Sequence, residues 1–225
     1  MKKSHFLISS DIFLIIIFII WTLLVANNSQ FINDFDDLGI SLIYQNHSNS
    51  LLLFFRSLTQ VGGTIMTIII TLIFLAILSV KKYYYAAAFL LTNKLSMVIV
   101  NTLIKHLIQR PRPDQHHFML ESTYSYPSGH ASSAFSLYIP LLVIGIFIVK
   151  KIGTKIIIST LAVLMAIIIG YSRIYLGVHY PSDIIGAYLL AAFILITTIY
   201  LFRMKNIFVL DLKGIQQQSN HQQNS

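Results

Sequence analysis

The chain has no cysteine. That excludes disulfides and cysteine–metal sites and says nothing about compartment. Charge is also scarce: only 11% of the residues are charged, where a soluble domain carries about a quarter. No internal repeat is visible, no small-x-small cleavage pattern follows Val25-Ala26-Asn27, and no pair of carboxylates stands at metal-ligand spacing. The first run is therefore read as a retained anchor in preference to a cleaved signal peptide. What fills the chain instead is apolar residues, 56% of 225 with a mean hydropathy of +0.72. This is the composition of a membrane protein.

Six runs are long enough to cross about 30 Å of hydrocarbon: Ile12 to Ala26 with an extension toward Phe6, Val61 to Val80, Tyr83 to Ile104, Ala131 to Val149, Ile156 to Tyr171 and Ile184 to Leu201. Backbone groups in lipid must bond within their own segment, and these runs are too long and too uniformly apolar for barrel strands. The expectation is an all-α polytopic protein with six transmembrane helices in a bundle. Residues 1–50 then form an anchor helix over 6–26 with a following loop, residues 51–203 the remaining core, and residues 204–225 a polar tail. The tail's end, Gln216 to Ser225, is rich in Gln and Asn and reads as disordered. Between the first two spans, Ser50 to Leu58 is too short to cross. It reads either as an interfacial helix or as an early start to the second span.

Lys2 and Lys3, Lys81 and Lys82, Lys150, Lys151 and Lys155, and Arg203, Lys205 and Lys213 all fall on one set of helix ends. The positive-inside bias makes these ends, and both termini, cytoplasmic. The opposite, extracytoplasmic loops hold the acidic segment Asn33 to Asp37 and basic residues that are few: Lys105, Arg112, Arg173, Arg110 and Arg56. The net charge of +8 thus reads as a topological signal, and nucleic acid is not expected as a partner.

Three short segments on that face carry chemistry: Lys105-x6-Arg112-Pro113, Pro127-Ser128-Gly129-His130, and Ser172-Arg173-x5-His179-x3-Asp183. Lys105 ends the third helix, which Pro111 and Pro113 stop, leaving Arg112 in a rigid extended turn. Ser128 is a natural N-cap for the fourth helix, and Pro181-Ser182-Asp183 opens the sixth. Three permanent cations and two helix N-termini then converge, an arrangement suited to a phosphoryl group. Asp183, four residues after His179, is placed to accept from Nδ1 and leave Nε2 free as a nucleophile. His130, without an acidic neighbour in sequence, suits a general acid for the leaving oxygen. Any one of these residues alone is ordinary at a membrane interface, where Lys and Arg snorkel to headgroups. Their joint occurrence in order carries the argument.

The three segments resemble the type-2 phosphatidic acid phosphatase family, whose relatives include vanadium-dependent haloperoxidases and bacterial membrane enzymes acting on phosphatidylglycerophosphate and undecaprenyl pyrophosphate. Every letter of the family's K-x6-R-P, P-S-G-H and S-R-x5-H-x3-D is met. The resemblance implies that Lys105, Arg112, Ser128, Gly129 and Arg173 bind phosphate, that His130 is the acid, His179 the nucleophile and Asp183 its partner. It also implies a six-helix core and a lipid phosphate or pyrophosphate substrate. No cofactor and no metal are expected, because the site's cations repel Mg²⁺. His116-His117 is the one rival feature and lacks further ligands nearby. Phosphotransfer to an acceptor, or lipid binding or transport without catalysis, are the other functions the same pattern admits.

Lys94, in mid-span, is expected to face protein. With Asn101 and Lys105 it forms a stripe about 16 Å long on one face of its helix. Two uses are open for it: lining a substrate path, or a helix–helix hydrogen bond. Gly62, Gly63 and Gly170 are expected to be close-packing points.

Overall fold

The computed structural model describes residues 2–44, 48–114, 118–119 and 121–204, with the side chains of 2–6, 44, 203 and 204 excepted. His116, His117, Lys205, Lys213 and the Gln/Asn-rich tail lie outside the described residues.

All regular structure among the described residues is helical: α1 (Lys2–Ala26), α2 (Gln30–Tyr44), α3 (Asn49–Thr59), α4 (Thr64–Val80), α5 (Tyr84–Ile108), α6 (Gly129–Ile148), α7 (Ile152–Tyr175) and α8 (Pro181–Met204), with one 3₁₀ turn at Gln60–Gly62. Five helices, α1, α5, α6, α7 and α8, are each long and apolar enough to span a bilayer. The pair α3 and α4, bent by 47° at Gly63, makes a sixth when counted as one broken span. The expected six-span helical bundle is therefore present. Residues 50–58 belong to a separate helix tilted away from α4, whose N-cap Ser48 accepts from the Leu51 N–H.

One expectation needs revision. Most of the stretch read as a loop after the first span is a 15-residue helix, α2. Its acidic cluster hides an apolar stripe. Ile32 and Asp36 are buried, and Ile40 and Ile43 pack beside Ile184 and Ala187, which is helical spacing. Gly39 allows this approach: a β-carbon there would stand 2.6 Å from Pro181 Cγ at the start of α8.

Hydrocarbon solvates apolar side chains as well as a neighbouring helix does, so the spans are held by close packing and by polar links. Small residues line the contacts, including Ala86, Ala87, Ala131, Ala134, Ala187 and Ala191. A β-carbon on Gly62 would fall 2.4 Å from Ile169 Cγ2, and one on Gly170 2.2 Å from the Tyr188 hydroxyl. On Gly63 it would lie 3.0 Å from the Gln60 carbonyl and 3.5 Å from His130 Nε2. The glycines thus sit where helices touch. The polar links include Trp21 Nε1 to the Ser182 carbonyl at 3.0 Å and Thr22 Oγ1 to the Tyr126 hydroxyl at 2.7 Å, both tying α1 to the end of the bundle that carries the three motifs. Lys94 is buried and donates to the Ser133 carbonyl of α6 at 2.9 Å. It faces protein as expected, in the role of a helix–helix link.

Candidate active site

Each motif residue is placed by the end of a helix. α5 stops at Ile108 because Gln109 adopts a left-handed conformation, φ 49°, and returns its N–H to the Lys105 carbonyl. The Arg110-Pro111-Arg112-Pro113 segment that follows cannot re-enter a helix. α6 begins at the Ser128 cap, whose Oγ accepts from the Ala131 N–H. α7 ends at Tyr175, and Gly177, with φ 69°, turns the chain so that the Val178 N–H reaches the Arg173 carbonyl. α8 opens with Pro181 in its first turn, where a missing N–H costs nothing. Asp183 reaches back to accept the Tyr180 N–H at 2.9 Å, as the acidic residue of a capping box does. The α6 and α8 starts are joined by Ser128 N–H to the Asp183 carbonyl, 3.2 Å.

These ends enclose a cavity of about 870 Å³. Lys105, Arg112, Gly129, His130 and His179 line it, together with Met97 and Asn101 of α5 and Ser133 of α6. Thr64, Val98 and Thr102 line it too and are exposed.

His179 is almost fully buried. Its Nδ1 lies 3.2 Å from Asp183 Oδ2 and 3.3 Å from Ser125 Oγ. An ionised carboxylate only accepts, so the proton belongs on Nδ1 and Nε2 carries a lone pair. Arg112 Nη1 faces that Nε2 at 3.3 Å. Burial above all, opposed by the bond to Asp183 and reinforced by Arg112 and Arg173, lowers the His179 pKa to about 3. The ring is neutral at physiological pH. Asp183 is fully buried and saturated: Oδ2 also accepts from Ser125 Oγ, and Oδ1 accepts from Arg110 Nη1 at 2.7 Å.

Lys105 and Arg112 are held by neutral loop carbonyls. Lys105 Nζ donates to the Tyr124 carbonyl. Arg112 donates to the Thr123 and Val178 carbonyls at 2.7 and 2.6 Å, and burial lowers its pKa. Arg173 is enclosed behind the cavity wall, with Nη1 3.1 Å from Thr59 Oγ1 and Nη2 paired with Glu121. Glu121 lines the cavity, which Arg173 does not reach. Ser128 is fully buried and acts as a cap, while Gly129 reaches the cavity wall. His130 lines the cavity with no hydrogen bond to its ring among the described residues.

The structure thus brings Lys105, Arg112, Gly129, His130 and His179 to one space, with Asp183 directly behind His179. Arg173 and Ser128 stand in the second layer. Sequence reasoning missed Ser125, which bonds both His179 and Asp183, and gave Arg110 and Asp36 no role beyond charge. Arg110 Nη1 bonds Asp183 and Ser182, its Nη2 bonds Asp36 at 2.7 Å, and its guanidinium lies 4.1 Å over the Tyr180 ring.

Comparison with known proteins matches this arrangement to a family: the profile of the PAP2 superfamily covers residues 83–207, more than half of the chain. The chain belongs to the PAP2 superfamily. Among sequence relatives, phosphatidylglycerophosphatase B of Bacillus subtilis is 36% identical over 94 residues, 40% of this chain and 45% of that one. Undecaprenyl-diphosphatase BcrC of the same organism is 30% identical over 102 residues, 43% and 48% of the two chains. The aligned part spans about half the length of these relatives. Among solved structures, the transmembrane PAP2-type phosphatidylglycerolphosphate phosphatase of Bacillus subtilis superposes with a TM-score of 0.71 at 24% identity, covering 87% of this chain and 96% of that one. LpxE of Aquifex aeolicus gives 0.56 at 24% identity, covering 71% and 92%. Both share the fold.

Proposed function

We propose that this PAP2 protein is a metal-independent lipid phosphatase, acting on a lipid phosphate or pyrophosphate at the extracytoplasmic surface through a phosphohistidine at residue 179. The observation that carries the reading is His179 itself: buried, neutral, held through Nδ1 by Asp183, and directing Nε2 toward a cavity lined by Lys105, Arg112 and His130.

In the first step the Nε2 lone pair forms an N–P bond as the P–O bond to the lipid breaks. His130, protonated once the anionic phosphate offsets the cations around it, gives that proton to the leaving oxygen, and the phosphorylated imidazole, still carrying Nδ1–H, is cationic and supported by Asp183. Water then attacks phosphorus, His130 takes its proton, and the N–P electron pair returns to Nε2. Lys105 and Arg112 exchange loop carbonyls for phosphate oxygens, and Arg173 exchanges Glu121 for a third oxygen. Pre-placed cations in a water-poor site are the largest source of rate enhancement in such transfers. Placement among membrane-spanning helices supports a lipid substrate. The cavity is lined by Met97 and Ser133 of the spanning helices α5 and α6, and by the exposed Thr64, Val98 and Thr102. The relatives named for phosphatidylglycerophosphate and undecaprenyl diphosphate define the substrates to try first.

The test is phosphate release by the purified protein in detergent with EDTA present, across phosphatidylglycerophosphate, undecaprenyl pyrophosphate and phosphatidic acid, with and without an acceptor alcohol. Release in EDTA without acceptor is expected. Turnover only with acceptor would make the protein a phosphotransferase, and no turnover with any lipid would leave it a binding protein.

A further inference from the structure

The Asp183 carboxylate is engaged by more than the histidine. Arg110 bridges two carboxylates that come from distant parts of the chain, Asp183 through Nη1 and Asp36 through Nη2, each at 2.7 Å. All three groups are buried, Arg110 being 8% exposed, Asp36 2% and Asp183 not at all. Asp36 is fixed in turn, with Oδ1 accepting the Ser182 N–H at 2.8 Å and Oδ2 the Ser182 hydroxyl at 2.7 Å. Asp36 and Arg110 draw on α2 and on the turn after α5, and a single chain of bonds, Asp36 to Arg110 to Asp183 to His179, runs from α2 to the candidate nucleophile. Burial weakens the Arg110 charge, yet Asp183 and Asp36 together raise its pKa above the ordinary guanidinium value. It stays charged.

A lone arginine at this position would draw the negative charge of Asp183 away from His179. The imidazole becomes cationic as the N–P bond forms, so it needs that charge. A second carboxylate on the far side of the guanidinium offsets the arginine and leaves the three groups with a net charge of about −1. We propose that Arg110 and Asp36 are positioning residues for the His179–Asp183 couple: Arg110 locks the Asp183 carboxylate, and Asp36 balances Arg110 so that Asp183 remains an effective anionic partner of the nucleophile. This rests on the phosphatase reading above for its kinetic arm only. It also gives α2 a role beyond packing.

The variant Asp36→Asn is nearly isosteric and keeps an oxygen for the Ser182 N–H, so the start of α8 stays capped. Its kcat on an aryl phosphate is expected to fall about tenfold, the rate equivalent of one pKa unit at the couple, with KM within about twofold of native because no phosphate ligand changes. Adding Arg110→Gln removes the unbalanced charge, and the double variant is expected to turn over faster than Asp36→Asn alone. A merely structural role predicts the reverse, losses that multiply. The second readout needs no turnover: in ¹⁵N-histidine-labelled protein the His179 Nδ1 proton resonance is expected to move upfield in Asp36→Asn, as Asp183 accepts less strongly. If Asp36→Asn does not fold, Arg110→Lys replaces it, since an ammonium lacks the planar fork that holds Asp183 and Asp36 through separate nitrogens, and the same loss in kcat with KM held is expected. A folded variant with kcat within about twofold of native, an unmoved Nδ1 proton, or multiplying losses in the double variant overturns the proposal. Absence of turnover in the native protein would instead defeat the phosphatase reading, and the resonance alone would then decide the charge balance.

Discussion

At the scale of single residues, the two histidines divide the work by their surroundings. His179 has its carboxylate and is nearly enclosed, while His130 faces the cavity with no bond to its ring among the described residues. If His130 is the acid, its importance depends on the leaving group. His130→Ala is expected to slow hydrolysis of a lipid alkyl phosphate far more than that of an aryl phosphate with an acidic phenol, by about 10² or more in relative kcat. Replacing Lys105 or Arg112, which meet the transferred group itself, is expected to slow both substrates by similar factors. Comparable losses in His130→Ala would reduce that histidine to a phosphate ligand. The residues most readable from sequence were those whose spacing is local, such as His179 and Asp183 four apart on one turn. Arg110 was not readable as a partner of Asp183. It stands 73 positions from that residue and 74 from Asp36, and a basic residue two places before Arg112 looks like any other charge at a helix end. Ser125, which bonds both His179 and Asp183, carries no pattern at all. The pairing of Arg173 with Glu121 depends on how a loop folds back, and no periodicity reports that.

At the scale of elements, hydropathy located the spans because hydrocarbon imposes length and apolarity on any helix that crosses it. The same signal failed for α2. Three aspartates within four positions look like a solvated loop, whereas in the fold Asp36 is buried against Arg110 and Ser182, and only the 3.6-residue spacing of Ile32, Asp36, Ile40 and Ile43 marked a helix. The glycine contacts make a direct test of the packing. A β-carbon on Gly170 meets the Tyr188 hydroxyl at 2.2 Å, and that hydroxyl bonds the Ala166 carbonyl, while nothing lies within 4 Å of a β-carbon on Gly153 in the same helix. Gly170→Ala is therefore expected to destabilise the protein by about 1–3 kcal/mol. Gly153→Ala is expected to be neutral or to stabilise by up to about 1 kcal/mol through helix propensity. Thermal unfolding of both variants in one detergent checks the contrast, and equal midpoints would mean that α7 and α8 do not meet at this glycine.

At the scale of the whole molecule, alternation of the spans brings the end of α5, the start of α6, the end of α7 and the start of α8 to one end of the bundle, so that three motifs spread over some 80 positions share one cavity. The basic residues at the opposite helix ends predict which side that is. A cysteine at the exposed Ser122 is expected to react with a membrane-impermeant thiol reagent on intact cells and one at Gly153 only after lysis; the native chain contains no cysteine to interfere. The reversed pattern would put the site on the cytoplasmic side. The central claim is that the motifs assemble around one nucleophile, and its most direct test is to catch the intermediate. Rapid alkaline quench of the turning-over enzyme in EDTA, followed by peptide mass spectrometry, is expected to find an acid-labile phosphate on His179, accumulating further when hydrolysis of the N–P bond is slowed by His130→Ala with an aryl phosphate. Phosphate on another residue, or full turnover by His179→Ala, would contradict the account.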